Sequence, residues 1–168
     1  MLVTYLLILA VVVAVLYGSY RALSGGTPVA AEDYRALLLR ICELTGARAV
    51  ELASALDGTS SSVAATTPGS LPRSADAALG EAAAAIRKHL GGYHEQLGRL
   101  ESEARGAELD QLETARGLLT AAVEDLAWAC RLIEGGAYGT NTGIQGAVAH
   151  LREHADACLA AASSGLGG

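Results

Sequence analysis

The residues with the clearest potential for chemistry lie near the C-terminal end, where His150, Glu153 and His154 form the pattern HxxEH. Two histidines four residues apart on a helix lie on one face, and both can reach a single zinc ion. A zinc ion held in this way polarises a carbonyl group or activates a bound water molecule. The pattern therefore makes a small metallohydrolase one of the functions to be weighed.

The surroundings of this pattern favour a solvated helix face instead. HxxEH is the motif of the inverzincin metallopeptidases, but those enzymes are much larger, and no third zinc ligand or supporting shell is identifiable in this sequence. On a helical wheel the apolar stripe of the segment centres on Ile144 and Ala162. The two histidines lie on its flank and Glu153 lies roughly opposite it, so we predict no metal site and no cofactor.

Other catalytic arrangements are not evident in the sequence. A di-iron bundle needs Glu-x-x-His, but the residues three positions before the histidines are Ile86, Gly91, Ala147 and Leu151. The glycine-rich stretch 135–146 precedes a predicted helix, where anions can bind, yet it lacks a preceding strand and a phosphate-binding signature. We predict that it is a turn between helices, and that the protein is not an enzyme and has no small-molecule substrate.

The composition argues against nucleic-acid binding and against a disulfide framework. The chain of 168 residues has a formal net charge of −6 and only 12 Lys and Arg residues, whereas nucleic-acid binding needs clustered basic side chains. Its 3 cysteines, Cys42, Cys130 and Cys158, are odd in number and widely spaced, which excludes a fully paired disulfide framework. We predict buried free thiols, which fit a reducing compartment.

Residues 1–22 are predicted to form a transmembrane anchor. The first 20 residues contain no charged side chain, and a helix of that length is about 30 Å long, close to the thickness of a bilayer's hydrocarbon core. Tyr5 lies near one end, and Tyr17 and Tyr20 lie at the other, where aromatic side chains favour the membrane interface. A cleaved signal peptide is the alternative, but the basic N-terminal region that it needs is missing.

One face of the predicted anchor carries a stripe of small side chains, at Ala10, Ala14, Gly18 and Ala22. Small side chains allow transmembrane helices to approach closely, so we predict that this stripe packs against a helix of another subunit or of a second copy. The alternative is that the stripe only reflects the abundance of alanine. Arg21 follows the apolar segment directly, and positive flanks favour the cytoplasm; we predict a single-pass cell-membrane protein with a cytoplasmic domain.

The rest of the chain predicts an all-α fold, an antiparallel bundle of about four helices. A linker at 23–28 leads into a bundle at 29–163, which contains a flexible Ser/Thr/Pro-rich loop at 58–73, and 164–168 is predicted to be a flexible tail. Apolar residues recur at helical spacing in each segment, and no strand-like alternation appears.

The predicted helix boundaries follow from glycine, proline and capping residues. The first helix is expected to end near Asp57-Gly58, and the second to run from Ser74 to a turn at Gly91-Gly92, flanked by His89 and His94. The third begins near Tyr93 and slips in phase near Gly106. The last is capped by Asn141 or Thr142.

The firmest pattern is a stripe in the third helix whose members lie seven residues apart, which is typical of helix packing. The stripe consists of Leu112, Leu119, Leu126 and Ile133, with Ala115, Val123 and Cys130 between them. Trp128 lies off this stripe, at a helix edge or a contact surface.

An anchor, a packing stripe and a helical docking face together predict a non-catalytic, membrane-anchored accessory or scaffold subunit of a membrane protein complex. Two alternatives remain. One is a membrane-anchored sensory or signalling bundle, and the other is a filament or envelope protein that uses the apolar N-terminal helix for assembly.

Overall fold

The computed structural model describes residues 28–63 and 73–167, which form four α-helices. In chain order these are α1 at Ala31–Val63, α2 at Arg73–Arg99, α3 at Ala107–Glu134 and α4 at Thr142–Leu166. Apart from one isolated bridge, the described residues contain no β-structure. The predicted all-α class and helical bundle are confirmed for this part of the chain.

The helices run alternately up and down around one core. Tyr34 near the start of α1 donates to Glu113 near the start of α3, so these two helices run in the same direction. Gln111 at the start of α3 donates to the carbonyl of Gly165 at the end of α4, so α4 runs the opposite way. The short loop 100–106 turns α2 back against α3.

α3 makes the most extensive contacts in the bundle, first with α4 and then with α2, and it also packs against α1. The predicted stripe Leu112, Leu119, Leu126 and Ile133 is confirmed as core, with each side chain at most 1 % exposed. Ala115, Val123 and Cys130 are buried with them. Full burial of one aliphatic side chain stabilises the fold by about 1.5–3 kcal/mol, so this stripe is a main source of the bundle's stability.

The first helix extends past its predicted end. α1 continues through Asp57-Gly58 to Val63, into the segment predicted to be a flexible loop. One glycine costs a helix only about 1 kcal/mol, so Gly58 does not have to end it. The remaining part of that predicted loop, 64–72, lies outside the described residues.

The predicted turn at Gly91-Gly92 is wrong, because α2 passes through both glycines and ends at Arg99. Leu90 and Leu97, on either side of the pair, are buried at 0 % and 2 % exposure. The two burials together outweigh the helix cost of two glycines. The chain reverses instead at 100–106, where Gly106 has a φ of +62°, at the position of the predicted phase slip.

The last helix begins as predicted but ends later. The side chain of Asn141 caps α4 by accepting hydrogen bonds from the backbone N–H groups of Gly143, at 2.9 Å, and Ile144, at 3.2 Å. Residues 164–166, predicted to belong to a flexible tail, are helical. Leu166 is only 2 % exposed, and its burial explains why the helix continues that far.

Val29 joins the start of the bundle to the α2–α3 loop. Its N–H donates to the carbonyl of Glu101 at 3.0 Å, and its carbonyl accepts from the N–H of Glu103 at 2.9 Å. This pair of bonds is the isolated parallel bridge. The chain that precedes α1 therefore enters the bundle beside loop 100–106.

None of the helices in the described ranges has the length and apolar character needed to cross a bilayer. The predicted anchor, with its stripe of Ala10, Ala14, Gly18 and Ala22, lies outside the described residues.

Candidate functional site

The residues of the HxxEH pattern do not converge on one point. His150 and Glu153 are exposed, whereas His154 contacts α3, with its Nδ1 2.5 Å from Asp125 Oδ2. The other ring nitrogen of His154 lies 3.9 Å from Cys158 Sγ. Among the residues that the structure describes, no group of three or more His, Cys, Asp or Glu side chains is arranged to hold a metal ion.

Asp125, His154 and Cys158 are arranged like a catalytic triad, in which a carboxylate orients a histidine base and the base activates a thiol nucleophile. The Cys158 thiol, however, is poorly suited to act as a nucleophile. Burial, and then the charge of Asp125, raise the pKa of Cys158 above its ordinary value. The thiol is therefore protonated at neutral pH, and Cys158 is only 7 % exposed. The three groups form a polar bridge between α3 and α4.

A surface groove follows the contact between α2 and α3, and we call it the seam groove. It consists of two cavities of about 400 Å³ and about 370 Å³, which meet at His94. Its sides are formed by short stripes of the two helices. These are Arg87, Gly91, His94 and Gly98 on α2 and Glu113, Arg116, Gly117, Thr120, Glu124, Ala127, Trp128 and Arg131 on α3.

The floor of the seam groove is apolar and its edges are polar. Leu90, Leu97 and Val123 line the bottom, and each is at most 2 % exposed. These three side chains belong to the helix-helix core, so the groove lies on a firmly packed base. An apolar floor with charged edges is the usual anatomy of a protein-binding surface.

Three helical glycines keep the seam groove open. A Cβ atom added at Gly91, Gly98 or Gly117 would meet no atom within 4 Å. Glycine inside a helix is less stable than alanine by roughly 0.5–1 kcal/mol. Because no neighbouring helix lies close to these glycines, helix packing does not require them. Their effect on the structure is to leave open space above the apolar floor of the groove.

Trp128 and Arg131 form the most exposed part of the groove. Trp128, the single tryptophan of the chain, is 55 % exposed, and the Arg131 guanidinium lies 4.7 Å from the centroid of its ring. Attraction between the cation and the π face holds the two side chains together. Within the described residues the Arg131 guanidinium has no carboxylate partner and the indole N–H has no acceptor.

The other basic side chains along the groove have acidic neighbours. Arg87 makes a bidentate pair with Glu134, with bonds of 2.6 and 2.9 Å, and this hydrogen bonding raises the pKa of Arg87 further. His94 Nδ1 lies 3.7 Å from a carboxylate oxygen of Glu124, so the two attract when the histidine is protonated. Arg116, which also lines the groove, pairs with Glu113 at 2.6 Å. Among the described residues, Arg131 is therefore the basic side chain of the seam groove without a carboxylate partner.

The sequence pointed to only part of this site. Trp128 was expected at a helix edge or contact surface, and it is exposed there. The sequence predicts a turn at Gly91 with His89 and His94 beside it, whereas all three residues belong to one continuous helix. The missed signal is the seven-residue spacing of Gly91 and Gly98, which puts both glycines on one helix face.

The chain matches no protein family, no curated protein and no solved structure.

Proposed function

We propose that this protein is a non-catalytic, membrane-anchored helical subunit that docks a partner protein in the seam groove, as an accessory or scaffold of a membrane complex. The observation that carries the proposal is the exposed Trp128–Arg131 pair beside an apolar floor held open by glycines. Tryptophan and arginine are enriched among the few residues that dominate the binding energy of protein interfaces. An exposed pair of this kind has little value for the stability of the isolated bundle.

The position of Val29 relates the proposed anchor to the seam groove. Val29 is bound to loop 100–106, next to the end of the groove marked by Gly98 and Gly117. Residues 1–22 are proposed to span the membrane, with the bundle on the cytoplasmic side. The seam groove would then begin at the membrane-facing end of the bundle, within reach of a partner anchored in the same bilayer.

The first test is co-purification of the full chain from native membranes in a mild detergent. We expect a membrane protein partner in stoichiometric amount, and we expect Trp128→Ala to reduce it at least tenfold, because removing a hot-spot side chain costs about 2 kcal/mol or more. The measurement is quantitative mass spectrometry of the eluate.

Val50→Ala is the matched control for this test. Val50 is exposed at 67 % on α1, away from the groove, so its truncation should leave the partner in place. Equal recovery with Trp128→Ala and with the wild type would contradict docking at this site. Large homopolymers without a partner would favour the filament alternative instead.

The second test concerns the predicted anchor. If the small-residue stripe packs against a partner's transmembrane helix, Ala14→Leu and Gly18→Leu should weaken the association and leave membrane insertion intact, because leucine favours insertion. Val11→Leu and Val13→Leu, which point elsewhere, are the controls. If the four variants co-purify equally well with partners, the stripe is only a compositional bias.

A further inference from the structure

We propose that the occupant of the seam groove is a single helix of the partner protein, which presents a carboxylate to Arg131 and apolar side chains to Trp128 and the groove floor. This inference rests on the proposed function, because it assumes that the groove is the docking face. It adds the secondary structure and the charge of the segment that binds.

The shape of the groove favours a helical occupant. Both walls are helices, whose own backbone groups are paired internally, so the groove offers no sheet edge to an extended peptide. An extended segment would bury its backbone N–H and C=O groups without partners, whereas a helix satisfies them itself. From Arg87 to Gly98 the groove follows α2 for about 17 Å, which corresponds to three turns of a docked helix.

The glycines set how closely that helix can approach. Gly91 and Gly98 on one wall and Gly117 on the other have open space where a side chain would start. Close approach lets side chains of the occupant reach Leu90, Leu97 and the other buried floor residues, in the way that small residues permit close packing between helices. The helix cost of the glycines is then offset by contact with the partner.

The charge of the groove favours an acidic occupant. The Arg131 guanidinium and the indole N–H of Trp128 are neighbouring donors, and neither has an acceptor among the described residues. A carboxylate can accept from both, and charge-assisted hydrogen bonds to arginine are among the strong ones. A basic helix would place a second positive charge against Arg131, because Glu124, the carboxylate that lines the same cavity, lies beside His94 and makes no ion pair with Arg131.

The test is site-specific photo-crosslinking of the full chain in its native membranes. A benzophenone amino acid replaces Thr120, which lines the groove, or Val50, the exposed position on α1. Adducts are digested, and the crosslinked partner peptide is sequenced. We expect an adduct from position 120 whose peptide has apolar residues at helical spacing and an Asp or Glu within one turn of the crosslinked residue.

Substitutions of the groove glycines then test whether the partner helix occupies the open space above them. Gly91→Leu and Gly98→Leu, which project into the open space, should each lower the adduct yield at least tenfold. Gly80→Leu, also on α2 with open space at its Cβ but outside the groove, should not. Circular dichroism and thermal unfolding of each variant confirm that the bundle is folded. Equal yields from folded Gly91→Leu, folded Gly98→Leu and folded Gly80→Leu would overturn the inference.

A charge exchange tests the carboxylate. Arg131→Glu should abolish the adduct, and replacing the mapped partner carboxylate by lysine should restore it. Failure of this exchange, or an adduct that maps to a basic segment, to an extended segment or to a second copy of this chain, overturns the inference.

The experiment separates the two levels of the proposal. If a partner co-purifies but no adduct forms from position 120, the helix-in-groove inference fails and the accessory-subunit proposal stands. If no partner is recovered by either route, both fail.

Discussion

Glycine residues in this bundle have two opposite roles, which substitution by alanine distinguishes. Gly91 has helical geometry and open space at its Cβ, whereas Gly106 has a φ of +62° in the α2–α3 loop. We expect Gly91→Ala to raise the free energy of unfolding by about 0.5–1 kcal/mol, through lower entropy of the unfolded chain. Gly106→Ala should lower it by roughly 1–2 kcal/mol, because a side chain is strained in the left-handed region. Urea unfolding measures both.

A stabilising Gly91→Ala also bears on function. The variant adds one methyl group to the seam groove, so it is expected to weaken partner binding while the fold gains stability. A loss of stability in Gly91→Ala would show that the glycine serves the packing of α2 and not the groove.

Tyr34 is expected to make the bundle sensitive to alkaline pH. Its side chain is buried, and its hydroxyl donates to Glu113 Oε1 at 3.2 Å. Burial raises the pKa of Tyr34 from 10.0 to about 12, against the opposing charge of Arg116. The folded state thus favours the neutral phenol, so this contribution to stability is complete below pH 10 and is lost as the pH rises through 12.

Comparison of the wild type with Tyr34→Phe isolates this effect. The free energy of unfolding of the wild type should fall between about pH 9 and about pH 12, and the fall should be smaller in Tyr34→Phe. The buried thiol of Cys130, whose pKa is also raised to about 12, contributes equally to both proteins. Identical pH dependence of the two proteins would mean that Tyr34 titrates normally.

At the scale of helices, the sequence predicts which residues of α3 are buried, but it does not predict where α1 and α2 end. The heptad spacing from Leu112 to Ile133 places these apolar side chains on one face of α3. That face must be buried against some partner, so the sequence alone identifies the buried face. The position at which a helix ends depends on a small difference between the cost of weak helix formers and the gain from burying the side chains beyond them. The glycine pair in α2 costs about 1 kcal/mol per residue, and burial of Leu90 and Leu97 against α3 exceeds that cost, which local propensity does not reveal.

The seam groove was beyond prediction for a related reason. Its parts come from two helices whose register is fixed only when they pack, so the sequence cannot place His94 beside Glu124 or Gly98 beside Gly117. The sequence does place Trp128 off the buried stripe. Trp128 is 55 % exposed, so it is the residue of the groove whose exposure the sequence indicates.

At the scale of the whole molecule, Val29 determines which end of the bundle faces the proposed anchor. Loop 100–106 and the end of α4 lie at the same end as Val29, and the turn 135–141 lies at the other. α3, with 28 residues, is about 42 Å long. The chain from Tyr20 to Val29 reaches at most about 30 Å when fully extended, so an upright bundle keeps the turn far from the lipid.

The final prediction follows from these lengths. In the full chain reconstituted into lipid nanodiscs, a fluorescent amino acid at Glu103 should be quenched by headgroup-spin-labelled lipid more strongly than one at Thr140. Val29→Pro removes the N–H that donates to Glu101, so it should reduce the difference while the helix content is unchanged. Equal quenching at the two positions in the wild type would mean that the bundle lies flat on the membrane or is not tethered beside loop 100–106. A partner in the same membrane would then no longer meet the seam groove from its Gly98 end.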